Sequence, residues 1–132
     1  VIYTVAVETS KHDDLIEITD IVREKIAESG VKEGLCIVFV PHTTACVLIN
    51  ENADPSVKID LLNELSKIIP DSDNYLHLEG NSNAHIKTAI IGSSRTILVK
   101  DNKLMLGTWQ GIFFAEFDGP RHRKFYIEVI ST

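Results

Sequence analysis

Apolar and polar residues alternate along residues 2–8 (IYTVAVE), the period of a strand with one covered face. LCIVFV and ACVLIN are apolar runs of strand length, joined by PHTT. The spacing predicts a tight hairpin centred on His42 and Thr43, with Cys36 opposite Ile49 and Cys46 opposite Phe39. After LIEITD the period changes to that of a helix, from about Asp20 to Ser29, which Gly30 stops. The helical pattern is clearest in DPSVKIDLLNELSKIIP. Asp54 is suited to the N-cap and Pro55 to the first turn, and Val57, Leu61, Leu62, Leu65, Ile68 and Ile69 form one apolar face. AHIKTAIIG predicts a short helix with Ser82 as N-cap and Ile86, Ala89 and Ile90 facing a core. RTILVK, DNK and LMLGTWQGIFFAEFD predict a hairpin, and KFYIEVI a last strand. Strands outnumber helices and tight turns join them, so the pattern predicts an α+β fold with antiparallel pairing. No linker or repeat interrupts it, and residues 1–132 read as one domain.

Composition narrows the function. The formal net charge is −6 with neutral histidines, which opposes nucleic-acid binding, since a phosphate backbone needs many cations on one face. No apolar run is long enough to cross a bilayer. Arg121, His122, Arg123 and Lys124 form a compact basic patch; taken alone the run reads first as an exposed charged turn, and second as a site for a small anion. The predicted hairpin sends the two thiols to opposite faces, so Cys36 and Cys46 read as buried free thiols, suited to a reducing, cytoplasmic setting.

Several residues carry chemistry. In LMLGTWQGIFFAEF both faces are largely apolar, which predicts a strand covered on both sides. Thr108 and Gln110 are then polar groups in a covered place that need partners or a ligand. Trp109 reads as a core anchor, and Gly107 and Gly111 leave room for a close backbone or ligand. Of five histidines, His12 and His122 sit in polar surroundings. His42 lies at a strand turn, His77 in the polar connector YLHLEGNSNAH, and His85 in the first turn of a helix. Three imidazoles with an open fourth position describe a catalytic zinc-type site. Asp54 is accounted for by capping. Glu51 is not needed by the turn, which makes it the stronger candidate for an acid, a base or a magnesium ligand.

Taken together, HTTACVLINENADPSVKID, AHIK and GTWQGIFFAEF with the basic residues after them closely resemble the YjbQ family, some of whose members are described as having a secondary thiamine-phosphate synthase activity. The resemblance implies an α+β fold, mainly an antiparallel β-sandwich with two or three helices packed outside. It also implies a homotrimer with sites near subunit boundaries, and a divalent metal held by His42, His77 and His85, zinc in the first instance and magnesium with a diphosphate substrate. His42, Glu51 and His85 are the expected catalytic residues. Asn52, Lys87, Thr108, Gln110, Arg121 and Arg123 are the expected ligand-binding residues.

The implied partner is a small phosphorylated metabolite, with no nucleic acid and no membrane. In the corresponding reaction a thiazole nitrogen displaces pyrophosphate, and Lys87, Arg121 and Arg123 are candidates to face the departing charge. In an ideal helix His85 and Lys87 point well apart and so serve different partners. Two other readings stand beside this one: a metal-dependent hydrolase of a phosphorylated metabolite with Glu51 as base, and a non-enzymatic trimer that binds a metal or metabolite.

Overall fold

The computed structural model describes residues 1–132 as two antiparallel sheets and three helices, an α+β fold. The strands are β1 (Ile2–Glu8), β2 (Asp14–Glu17), β3 (Glu33–Phe39), β4 (Ala45–Glu51), β5 (Ser94–Lys100), β6 (Lys103–Leu104), β7 (Gln110–Glu116) and β8 (His122–Ser131). The helices are α1 (Thr19–Ser29), α2 (Pro55–Ile68) and α3 (Ser82–Ile91). A five-stranded sheet runs β1-β8-β3-β5-β6 and a three-stranded sheet runs β2-β7-β4.

The local chemistry explains most element ends. Gly30 closes α1 in the left-handed conformation that glycine adopts without strain. The Asp54 carboxylate accepts from the Ser56 N–H at the start of α2, with Pro55 just inside. Asp101 and Asn102, both at positive φ, make the two-residue turn between β5 and β6.

The expected hairpin between β3 and β4 does not form. β3 pairs with β5 and β8, whereas β4 pairs with β7 in the other sheet. Pro41 has no N–H to give a ladder, and His42-Thr43 lacks the positive-φ residues a two-residue hairpin needs. Residues 40–44 therefore carry the chain from one sheet to the other. The thiols still end up apart, but in different cores: Cys36 between the sheets and Cys46 beneath the helices.

The main core lies between the sheets. Val38, Phe125, Ile127 and Val129 from the large sheet meet Val47, Ile112 and Phe114 from the small one, and α1 adds Val22 and Ile26. The other face of the small sheet, with Cys46, Phe113, Ala115 and Phe117, is covered by Ala84 of α3 and by Leu61, Leu62 and Leu65 of α2. β7 is accordingly buried from Gly111 to Glu116, covered on both sides as the pattern predicts. The strand does not extend back to Leu104, however. A turn at Gly107–Trp109 lets the chain change sheets, and Trp109 is 63% exposed instead of anchoring the core. Thr108 and Gln110 are exposed as well, so neither is the covered polar group expected.

α3 reverses its expected orientation. Asn83, Ala84, Lys87 and Thr88 face inward, while Ile86, Ala89 and Ile90 are exposed. Asn81, not Ser82, occupies the N-cap position. No helix is long and apolar enough to cross a membrane.

Candidate functional site

The residues singled out in the sequence fall at opposite ends of the small sheet. β4 alone spans about 20 Å at the usual strand rise, with the His42 crossing before it and Glu51 at its far end. Within one chain His42 and Glu51 therefore do not share a small-molecule site.

At the Glu51 end two motifs meet. Glu51 pairs with Gln110 and Asn50 with Gly111, and the Asn52 N–H donates to the Trp109 carbonyl at 2.9 Å. The Asn52 carboxamide donates to Glu17 at 2.9 Å across Gly111, where an added Cβ would come within 2.7 Å of the Asn52 side chain. The Gln110 side chain accepts from the Gly107 N–H at 2.8 Å. Gly111 is thus required by close packing against Asn52, and this corner links β4, β7 and the end of β2. Thr108 and Trp109 project from it into solvent.

The His42 end is built on a buried ion pair. Arg123 donates to Glu116 through Nε at 2.8 Å and Nη2 at 2.6 Å, and through Nη2 to the Thr44 hydroxyl at 2.8 Å. Thr9 Oγ1 and the Asp118 N–H also donate to the same carboxylate. Burial opposes the charge of Glu116, but these four donors outweigh it and hold its carboxyl below the ordinary range. The pair fixes the 40–44 crossing against β8. There the Lys124 N–H donates to His42 Nε2 at 3.0 Å. Partial burial, and then the nearby Arg123 charge, lower the pKa of His42, so the ring is neutral at pH 7.

Opposite the crossing stands the side of α3 that carries His85, Thr88 and Ala89. His42, Thr43, His85, Thr88, Gly92 and Ser93 line one open cavity of about 510 Å³, within the range of small-ligand sites. Thr88 is 5% exposed and its hydroxyl is buried without a hydrogen-bond partner; the adjacent Cys46 thiol, a weak group, does not satisfy it. His85 also borders a second depression with Tyr75, His77 and Ser82, and the His77 and His85 rings meet edge to face at 5.4 Å.

Lys87 leaves the helix on another side, as expected of its spacing from His85. It is wholly buried, 3.1 Å from Asp13 and over the Phe117 ring. Arg121 is exposed and paired with Asp118 at 3.0 Å, and Asp118 in turn accepts from Asn81 at the start of α3. The expected cations Lys87, Arg121 and Arg123 are therefore all in ion pairs within the chain. Burial pushes Cys36 up to about 11 and Cys46 up to about 12, so neither thiol is ionised near neutral pH.

The structure brings His42 and His85 to one cavity and His77 to His85. One chain contains no group of three His, Cys, Asp or Glu side chains placed to hold a metal. His42 has already given its Nε2 lone pair to Lys124, which leaves two neighbouring imidazoles, His77 and His85, without a third ligand. Thr88, Ser93, Glu116 and Asp13 are the functional-end residues that sequence reasoning passed over. Thr88 alone carried a signal, lying three positions after His85 and so on the same side of the helix.

Comparison with known proteins follows the whole chain. The family described as "UPF0047 protein YjbQ-like" matches residues 3–132. The UPF0047 protein MJ1081 of Methanocaldococcus jannaschii is 57% identical over 125 residues, covering 95% of this chain and 91% of that protein. The UPF0047 protein YugU of Bacillus subtilis is 43% identical over 129 residues, covering 97% and 98%. The crystal structure of a YjbQ/UPF0047-family protein from Clostridium acetobutylicum, 51% identical, superposes with a TM-score of 0.96 over 97% of this chain and 99% of that one.

Proposed function

The chain belongs to the YjbQ-like UPF0047 family, and from that premise we propose that it is an enzyme of a small phosphorylated metabolite, of the thiamine-phosphate synthase kind that the family resemblance implies. One observation carries this reading: the cavity between the 40–44 crossing and α3, lined by His42 and His85 and by Thr43, Thr88 and Ser93. Such a lining offers several hydrogen-bond donors and no carboxylate, which suits phosphoryl oxygens. In the proposed reaction the chain holds and orients the diphosphate while a ring nitrogen displaces it. His85, which makes no hydrogen bond within the chain, is the group free to exchange a proton with the reactants. Lys87, Arg121 and Arg123 do not line the cavity and are each paired within the chain, so they act by holding α3 and the crossing in place. Glu51, Asn52, Thr108 and Gln110 enter the site only from a neighbouring copy.

A homotrimer supports that last step. In a cyclic trimer the contact is heterologous, so one end of a subunit meets a different surface on the next. The outer face of the large sheet is apolar and uncovered, with Phe39, Leu98 and Ile130 exposed beside Ile37 and Tyr126, a surface too broad for a metabolite. A divalent metal, zinc or magnesium, would be held by His77 and His85 together with a ligand from a neighbouring copy, and would supply Lewis-acid neutralisation of the departing charge.

The test is a thiamine-phosphate synthase assay on the purified protein. His85→Ala is expected to lower the rate at least about tenfold without lowering stability, and an undiminished rate rules out His85. Light scattering is expected to give the mass of a trimer, and Phe39→Lys a smaller species; a wild-type monomer at micromolar concentration contradicts the shared site. Metal analysis of protein purified without a histidine tag tests the hydrolase reading, which requires close to one ion per chain.

A further inference from the structure

His42 has a defined proton arrangement. Its Nε2 accepts the Lys124 N–H at 3.0 Å, and an acceptor nitrogen carries no proton. In a neutral imidazole the other nitrogen must then carry it. Nδ1 makes no hydrogen bond within the chain, and the ring lines the cavity shared with His85 and Thr88. The opposite tautomer would set Nε2–H against the Lys124 N–H, two donors face to face. Metal ligation through Nδ1 would demand lone pairs at both nitrogens, an anionic ring. Thr88 lines the same cavity, and its hydroxyl lies buried just beneath that wall, beside Cys46 and without a satisfied partner.

We propose that His42 is held by the Lys124 amide as the Nδ1–H tautomer and donates that hydrogen bond to an anionic oxygen of the bound ligand. The assignment rests on the phosphorylated-metabolite reading for the identity of the ligand, but its proton arrangement is independent of it. His42 is then a fixed, uncharged donor, in contrast to a metal ligand or a general base. Arg123 is a positioning residue: its bonds to Glu116 and Thr44 hold the strand that bears the Lys124 amide against the crossing that bears His42. A neutral donor aimed from a fixed backbone stabilises an oxygen anion without having to reorganise.

Two measurements test it. Long-range ¹H–¹⁵N correlation of the imidazoles in wild-type protein at neutral pH, assigned by the signal lost in His42→Asn, is expected to show His42 protonated at Nδ1 and bare at Nε2. The reverse pattern overturns the proposal. Calorimetric titration with inorganic pyrophosphate then compares three variants. In His42→Asn the carboxamide nitrogen falls near the position of Nδ1, and in His42→Gln near that of Nε2. His42→Asn is expected to bind within about threefold of wild type, whereas His42→Gln and His42→Ala weaken binding about tenfold, the usual worth of one hydrogen bond to a charged group. If wild type binds and His42→Asn behaves as His42→Ala, this inference alone fails. If wild type does not bind pyrophosphate, the anion assignment falls together with the functional reading above.

Discussion

Helices α2 and α3 lie on the same face of the small sheet, yet they use their residues in opposite ways. α2 packs Leu61, Leu62 and Leu65 toward the core and shows solvent its charges together with Ile59 and Ile68, but turns no polar group inward. α3 turns Asn83, Lys87 and Thr88 inward and leaves Ile86 and Ile90 outside. A helix that only completes a core has no reason to bury an ammonium group and an unpartnered hydroxyl, both of which carry a desolvation cost. The contrast separates a helix that supports the fold from one that presents a site.

Breaking the contrast at its strongest point gives the largest effect. Lys87→Ala is expected to cost about 3 kcal/mol, the low end for disrupting a buried pair, because Asp13 stays partly exposed and rehydrates. Urea unfolding measures it. The corresponding change in α2, Leu65→Ala, removes a half-buried apolar side chain and is expected to cost less, about 1–2 kcal/mol. A greater loss in α2 than in α3 would reverse the comparison.

Acid sharpens it next. Burial works against the charge of Asp118, but hydrogen bonds from Asn81 and Arg121 prevail and lower its pKa, and Glu116 is lowered likewise. Carboxyls depressed on folding contribute stability that is fully present above their unfolded values, 3.8 for Asp and 4.5 for Glu. That stability is lost as pH falls through the lower folded values. Unfolding followed against pH is expected to decline in that acidic window, and Glu116→Gln to flatten the decline. The smallest effect belongs to the outward isoleucines: Ile90→Ser is expected to change the stability of the single chain by less than about 0.5 kcal/mol, since that side chain is 67% exposed.

How much of this was legible follows the same division. α2 could be read because its cap, its proline and most of its apolar face agree, although Ile68, expected on that face, is 67% exposed at the last turn. α1 and the strands were legible for the same reason. α3 was misread because its isoleucines suit the inside of a helix packed on a sheet, and periodicity alone cannot tell which face a ligand or partner claims. The strand read across Leu104–Trp109 failed at a change of sheets, and the β3–β4 hairpin failed because β3 found partners on both sides elsewhere. At the candidate site, His42 and His85 were identifiable from their hydroxyl-rich and helix-start settings. Asp13, Glu116 and Asp118 reach the site from distant parts of the chain, so no local pattern reveals them.

The central claim, that α3 presents a binding surface through His85 and Thr88 beside the His42 crossing, is tested most directly at Thr88, whose hydroxyl lacks a partner. Thr88→Val keeps the shape and removes the hydroxyl. Thermal unfolding and pyrophosphate titration of the same preparation are expected to diverge. The variant should be more stable by about 1 kcal/mol, through relief of an unsatisfied buried group, while binding pyrophosphate about tenfold more weakly. A variant that binds pyrophosphate as tightly as wild type contradicts the account.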